Sequence, residues 1–246
     1  MPYVAIIGDL HDWHSEQLES SFKMEGIKVL RFKLDELRAD FSQKKKNFLS
    51  SEFDKIIGIW LRFINNGSLE EITTKLTFLH LLEEKGIYIH NSPKVIEKTV
   101  DKVRATGLLR INNICTPQTI VEIGKLTDFK KGNYLLKPIF GSQGKNIVFI
   151  NSKSELLTKY PVGNVFYLQK FIGKPNQKEF SDIRVLVSNH KPVSIMKRTS
   201  EKMFTNVSQG ALVSKLHKTE ELKKITNQVS KIFKLGYGGI DLKYHN

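Results

Sequence analysis

Lysines, glycines, arginines and aspartates recur in this sequence at the ends of apolar segments, where chains commonly hold phosphates and carboxylates. The run Tyr134-Leu135-Leu136 ends in Lys137-Pro138. That ammonium, fixed by the following proline, suits the α- and β-phosphates of a nucleotide, or stands as a solvated charge at a strand end. Next comes Ile139-Phe140-Gly141-Ser142-Gln143-Gly144. Glycines flanking two small polar residues let backbone N–H groups approach a polyphosphate without Cβ obstruction. The same glycines also suit a tight hairpin turn. Lys102, next to Asp101, offers a cation to the same phosphates or forms a simple exposed charge pair. Gln169-Lys170-Phe171-Ile172 closes an apolar strand and can present main-chain groups to an adenine edge, or serve only as core.

A second group is carboxylate- and arginine-rich. Strand alternation places Asp182 and Arg184 on one face, with Ile183 and Val185 on the other. Arg184 and Arg198 have the bidentate geometry for carboxylate or phosphate. Structural ion pairs with Asp182 or Glu201 are the alternative. Asn206 follows the segment 199–205 and suits either a metal-bridged phosphate or a turn. Asp241, after Gly238-Gly239 on an apolar strand, is a candidate Mg2+ ligand, because magnesium at nucleotide sites takes one or two carboxylates plus phosphates. Asp9, His11, Asp12 and His14 invite a transition-metal reading. A polar strand-to-helix loop at the mouth of the first domain, within reach of substrate, explains them better.

Strand and helix patterns alternate through the first third of the chain. Strands are expected at Tyr3–Gly8, Ile27–Phe32, Lys55–Trp60 and Ile87–His90, with helices at Ser15–Glu25 and Leu69–Glu84. This argues for a parallel, Rossmann-like sheet over residues 1–91, although no Gly-x-Gly-x-x-Gly follows the first strand. Ser92-Pro93 starts a helix expected to reach Arg110, with Ser92 as its cap. Strands follow at Gln118–Val121, Tyr134–Pro138, Asn146–Ile150, Phe166–Phe171, Asp182–Val187 and Pro192–Lys197, with a helix at Lys153–Lys159. Leu222, Ile225, Val229 and Ile232 mark a helix over Thr219–Leu235, and Ile240–Leu242 begin a last strand.

Composition narrows the classes. Of the 246 residues 40% are hydrophobic and 26% charged, as in a soluble globular protein. No apolar run approaches the roughly 20 residues of a membrane span. Met1 to Gly8 reads as a strand and not a signal peptide, so the cytoplasm is the default location. The single cysteine, Cys115, excludes an internal disulfide or a multi-cysteine zinc site, and its neighbours Ile114 and Pro117 suggest a packed strand start. A net charge of +14 suits an anionic partner. Only Lys44-Lys45-Lys46 forms a basic run, and no basic–aromatic interleaving favours single-stranded nucleic acid.

Taken in order, the motifs Asn91-Ser92-Pro93, Asp101-Lys102, Thr116-Pro117-Gln118-Thr119, Leu136-Lys137-Pro138, Gly141 to Gly144, Gln169 to Ile172, Asp182-Ile183-Arg184, Arg198, Thr205-Asn206-Val207 and Gly239-Ile240-Asp241 resemble the ATP-grasp ligases, and within them the RimK-type α-L-glutamate ligases. The resemblance implies an α/β chain in which a Rossmann-like domain (1–91) precedes an ATP-grasp fold of two α+β subdomains (92–165 and 166–246). It implies ATP and Mg2+ (or Mn2+) as cofactors, with Lys102 and Lys137 on phosphates. Gly141, Ser142, Gln143 and Gly144 become the phosphate-covering loop, and Gln169, Lys170 and Phe171 the adenine hinge. Asp182, Thr205 and Asn206 touch the nucleotide. Arg184 and Arg198 orient the reacting acyl phosphate, and Asp241 binds metal. The expected reaction joins L-glutamate or a similar amino acid to an acidic acceptor, a protein tail or a pterin or deazaflavin cofactor. The alternative is an ATP-binding module without turnover, as in synapsin-like proteins. Relatives are often dimers or tetramers, so the resemblance allows a homo-oligomer. In relatives position 170 is commonly acidic, and a closing Glu-x-Asn strand would lie beyond Asn246. The chain is therefore read as truncated and its second subdomain as incomplete.

Overall fold

The computed structural model describes residues 3–9, 11–42, 51–65, 67–127, 129–141, 144–159 and 161–244. Ser142, Gln143 and the run Lys44-Lys45-Lys46 lie outside the described residues. The chain divides into two compact units, Met1–Ile96 and Glu97–Asn246.

In the first unit the strands β1 (Tyr3–Ile7), β2 (Lys28–Phe32), β3 (Ile56–Leu61) and β4 (Tyr88–His90) form one parallel sheet in the order β2-β1-β3-β4. Helices α1 (Trp13–Met24) and α2 (Leu69–Glu84) connect them. Ala5, Ile7, Ile59, Leu61, Leu79 and Leu82 fill the core. Buried on α2, Lys75 pairs with Asp35 at 2.5 Å. Helix α1 starts two residues before the expected Ser15, because Asp12 caps it by accepting from the N–H groups of His14 and Ser15. Burial raises the Asp12 pKa, but hydrogen bonds from Ser15 and His14 and the charge of Arg62 outweigh it and hold the carboxyl at about 2. Asp12 therefore serves the helix start, while Asp9 accepts from the His11 N–H within the loop. Among the described residues no cluster of three or more metal-binding side chains forms.

The second unit holds two antiparallel sheets. The first has β5 (Thr119–Ile123), β6 (Tyr134–Leu136), β7 (Val148–Ile150) and β8 (Val165–Lys170) in the order β5-β8-β6-β7, with α5 (Lys153–Leu157) beside β7. The second has β9 (Phe180–Ser188), β10 (Lys191–Ser200), β11 (Leu212–Lys215) and β12 (Tyr237–Leu242) in the order β11-β10-β9-β12. Helix α6 (Glu220–Phe233) packs on β9 and β10 through Leu222, Thr226, Val229, Ser230 and Phe233. Ile183, Val185, Val187 and Ile195 are buried, so Asp182, Arg184 and Leu186 stand on the opposite face.

Three further expectations change. The helix expected from Pro93 to Arg110 is two helices, α3 (Pro93–Val100) and α4 (Lys102–Ile111). Asp101 separates them in an extended conformation and caps α4 by accepting from Val103 and Arg104 N–H groups. Cys115 is exposed; Ile114 is the buried neighbour, and β5 begins only at Thr119. Strand β11 was not expected, because all four of its residues are exposed and it lacks burial alternation. Among the described residues no helix is long and apolar enough to cross a membrane.

Candidate active site

Lys137 follows β6, and its N–H continues the ladder by donating to the Tyr167 carbonyl. Its ammonium donates to Gln169 Oε1 at 2.6 Å. The Gln169 amide is fixed in turn by donating to Thr119 Oγ1 and Tyr167 OH, both at 3.2 Å, and Tyr167 OH pairs with Thr106 at 2.6 Å. This chain of side chains orients a charge that its surroundings disfavour. Desolvation, then the like charge of Lys102, lowers the Lys137 pKa to about 8; Asp241 opposes this and Lys243 adds to it.

Lys102 is the first residue of α4. Its Nζ donates to the carbonyls of Ile139 at 3.2 Å and Gly141 at 3.0 Å, so it anchors the start of the glycine loop. Desolvation lowers its pKa against the pull of Asp101. The loop uses its glycines as the sequence demands. Gly141 has φ +134° and Gly144 φ +73°, where a side chain is strained. A Cβ on Gly144 would come within 2.7 Å of Asn206 Oδ1 and 2.8 Å of Gln209 Nε2, so the end of the loop rests on the segment after β10. The loop joins β6 to β7 across residues 137–147 and is no tight hairpin turn.

At the hinge segment, the N–H of Lys170 donates to Gln118 and that of Phe171 to Asn133, so neither is free for a base. The Phe171 ring is buried between Phe149 and Phe180, with the Lys243 ammonium 5.2 Å above its centroid.

Facing this group, the second sheet carries a two-aspartate, two-arginine network. Arg198 is nearly inaccessible, at 3% side-chain exposure, and bridges both acids. It donates from Nε and Nη2 to Asp182, at 2.7 and 2.5 Å, and from Nη2 to Asp241 at 3.1 Å. Burial works against its charge, but Asp182 and Asp241 prevail and raise its pKa. Thr205 Oγ1 donates to Asp182 at 2.7 Å. Arg184 donates from Nε and Nη2 to Asp241 at 2.8 and 2.7 Å. The reading of Arg198 as a structural partner of Asp182 therefore describes its geometry, which extends to Asp241 as well.

Asp241 accepts two bonds on Oδ1 and one on Oδ2, and stays 48% exposed. One oxygen thus keeps a lone pair toward solvent, which fits a magnesium held mostly by a nucleotide's phosphates and water. Lys243, absent from the sequence-level candidates, stands near Asp182 and Lys137, and desolvation lowers its pKa against the attraction of Asp182. Its signal was legible: it lies two residues after Asp241, just past the end of β12.

This site, built on two antiparallel sheets, is that of an ATP-grasp ligase, a class of enzymes that form C–N bonds. A RimK-like ATP-grasp domain matches residues 99–246, and the chain belongs to that family. It is 29% identical over 258 aligned positions to the tetrahydromethanopterin:alpha-L-glutamate ligase of Methanococcus maripaludis, covering 97% of this chain and 84% of that protein. It is 28% identical over 170 positions to the coenzyme gamma-F420-2:alpha-L-glutamate ligase of the same organism, covering 65% of this chain and 60% of that one. The fold also matches the ATP-grasp ligase PsnB complexed with minimal precursor, with a TM-score of 0.71 and 16% identity, over 100% of this chain and 86% of that one. A second PsnB structure, complexed with minimal precursor, Mg and ADP, matches with a TM-score of 0.69 and 14% identity, over 98% and 84%.

Proposed function

We propose that this ligase adds L-glutamate, or a similar amino acid, to the carboxylate of an acidic acceptor at the expense of ATP, and that the acceptor is a pterin- or deazaflavin-type cofactor. The observation that carries the reading is the gathering of Lys102, Lys137 and Lys243. All three ammonium groups are destabilised by desolvation, and Lys137 is further disfavoured by the other two. The two nearby acids are already paired with arginines. A bound polyphosphate relieves that cost.

Lys102 and Lys137 hold phosphates, and Gly141 to Gly144 close over them, with Asn206 and Thr205 supporting the loop and Asp182. Gln169, Lys170 and Phe171 border the base through side chains and carbonyls. Mg2+ (or Mn2+), held by Asp241, neutralises phosphate charge when bound. The acceptor carboxylate oxygen attacks the γ-phosphorus and ADP leaves. The neutral amine of glutamate then attacks the acyl carbon, and phosphate leaves with the former carboxylate oxygen. Arg184 steadies the charge on that oxygen, and Arg198 keeps Asp182 and Asp241 in place.

The test is ADP release with L-glutamate and a panel of acceptors, tetrahydromethanopterin first, with products weighed by mass spectrometry. A glutamylated product formed one-for-one with ADP, and lost on chelating the metal, supports the reading. ATP binding without product on any acceptor favours the non-catalytic, synapsin-like alternative.

A further inference from the structure

The strand register arranges side chains in rows across the open face of the second sheet. One row reads Val213, Arg198, Asp182, and the next reads Lys215, Met196, Arg184, Asp241. Residues directly opposite in neighbouring antiparallel strands share a face, so Lys215 stands on the face that carries Arg184 and Asp241. Two strand spacings, roughly 10 Å, separate its backbone from that of Arg184. Met196 lies between them. Leu186 and Gly239, opposite each other in the next row, extend a neutral floor.

Charge makes this arrangement informative. Asp182 and Asp241 are balanced by Arg198 and Arg184, and the phosphate end has its own lysines. Lys215 belongs to neither set: it is exposed and has no ion-pair partner among the described residues. Arg184 directs Nε and Nη2 at Asp241, which leaves its Nη1 hydrogens unspent. Two cationic groups thus flank a small apolar floor beside the acid that faces the reacting phosphate.

Resting on the ligase reading above, we propose that Lys215, together with Arg184 Nη1, forms the carboxylate subsite for the incoming amine-bearing dicarboxylate, and that Lys215 is a specificity-determining residue for it. An α-linked glutamate keeps both of its own carboxylates, so the enzyme must hold two negative charges while leaving the amine free to attack. One cation beside the reaction centre and one on the edge strand meet that need. A monocarboxylate such as alanine leaves Lys215 without a partner.

The experiment is calorimetric titration of the full chain with L-glutamate and with L-alanine, in the presence of Mg2+ and a non-hydrolysable ATP analogue. It compares wild type with Lys215→Ala, Lys215→Glu and Lys215→Arg. A lost charge-assisted bond predicts glutamate binding about tenfold weaker in Lys215→Ala, weaker still in Lys215→Glu, and recovered in Lys215→Arg. Alanine binding and analogue affinity stay within twofold in all variants, which separates a local effect from misfolding. Equal glutamate affinity in wild type and Lys215→Ala, or no glutamate binding to a wild type that binds the analogue, overturns the subsite. Failure to bind the analogue instead counts against the ligase reading, and the glutamate titrations still decide the subsite on their own.

Discussion

On the proposed reading Lys137 is the residue on which the chemistry turns, because its charge is unfavourable in the free protein. With its pKa near 8, it is partly neutral in mildly alkaline solution. Triphosphate binding restores the proton by raising that pKa, so ATP binding takes up a proton above pH 8 and weakens as pH climbs. Calorimetry at pH 8.5 in buffers of different ionisation enthalpy reads the uptake, and Lys137→Met abolishes it. Stability carries the same linkage with its own sign. The folded pKa lies below the unfolded value of about 10.4, so between pH 8 and 10 the unfolded chain binds more protons and folding becomes more favourable. Wild type therefore gains stability relative to Lys137→Met across that window, as urea titrations at pH 7 and pH 10 will measure. Arg198 and Arg184 separate stability from activity. Removing Arg198 leaves Asp182 and Asp241 without their buried partner and costs about 3–5 kcal/mol. Arg184→Ala breaks a partly exposed pair, costs at most about 1 kcal/mol of stability, and lowers turnover far more than it lowers the unfolding midpoint. The sequence offered an Asp182–Arg198 ion pair only as the alternative to a ligand-binding role, and that pair is the one that forms. Alternation could not foresee Arg184 crossing to Asp241, because the pairing of β12 with β9 joins positions 57 residues apart.

Elements were legible where local chemistry dictates them. Helix α2 runs as expected from Leu69 to Glu84 behind its Ser68–Glu71 capping box, and the parallel strands of the first unit lie where their apolar runs are. What eluded the sequence was set by contacts between elements. Strand β11 has a fully exposed pattern and forms only because β10 offers it an edge. The break at Asp101 hides inside an otherwise helical pattern, yet it sets Lys102 at a helix start where its ammonium reaches the Ile139 and Gly141 carbonyls. The glycine loop gives the sharpest test at this scale. Gly144→Ala forces a Cβ against Asn206 and Gln209 at a positive φ, a strain of about 1 kcal/mol or more. The loop lifts away to relieve it. The expected result is a KM for ATP raised several-fold with the melting temperature almost unchanged.

Across the whole molecule, the excess of 14 positive charges steers anions toward the protein and acts over a screening length of about 10 Å at 0.1 M salt. Raising salt from about 0.05 M to 0.5 M is expected to increase the KM of an anionic acceptor more than that of ATP, because the lysines proposed to hold its phosphates are desolvated. Steady-state kinetics at two salt concentrations checks this. The central claim is that acceptor carboxylate, ATP and glutamate meet through an acyl phosphate formed beside Lys137, Arg184 and Asp241. The most direct measurement is a turnover experiment with the acceptor carboxylate labelled with 18O, followed by mass analysis of the released phosphate. One labelled oxygen in each phosphate, lost together with turnover in Lys137→Ala, is the predicted result. Unlabelled phosphate accompanying glutamylated product contradicts it, since the carboxylate oxygen would then never have been bonded to phosphorus.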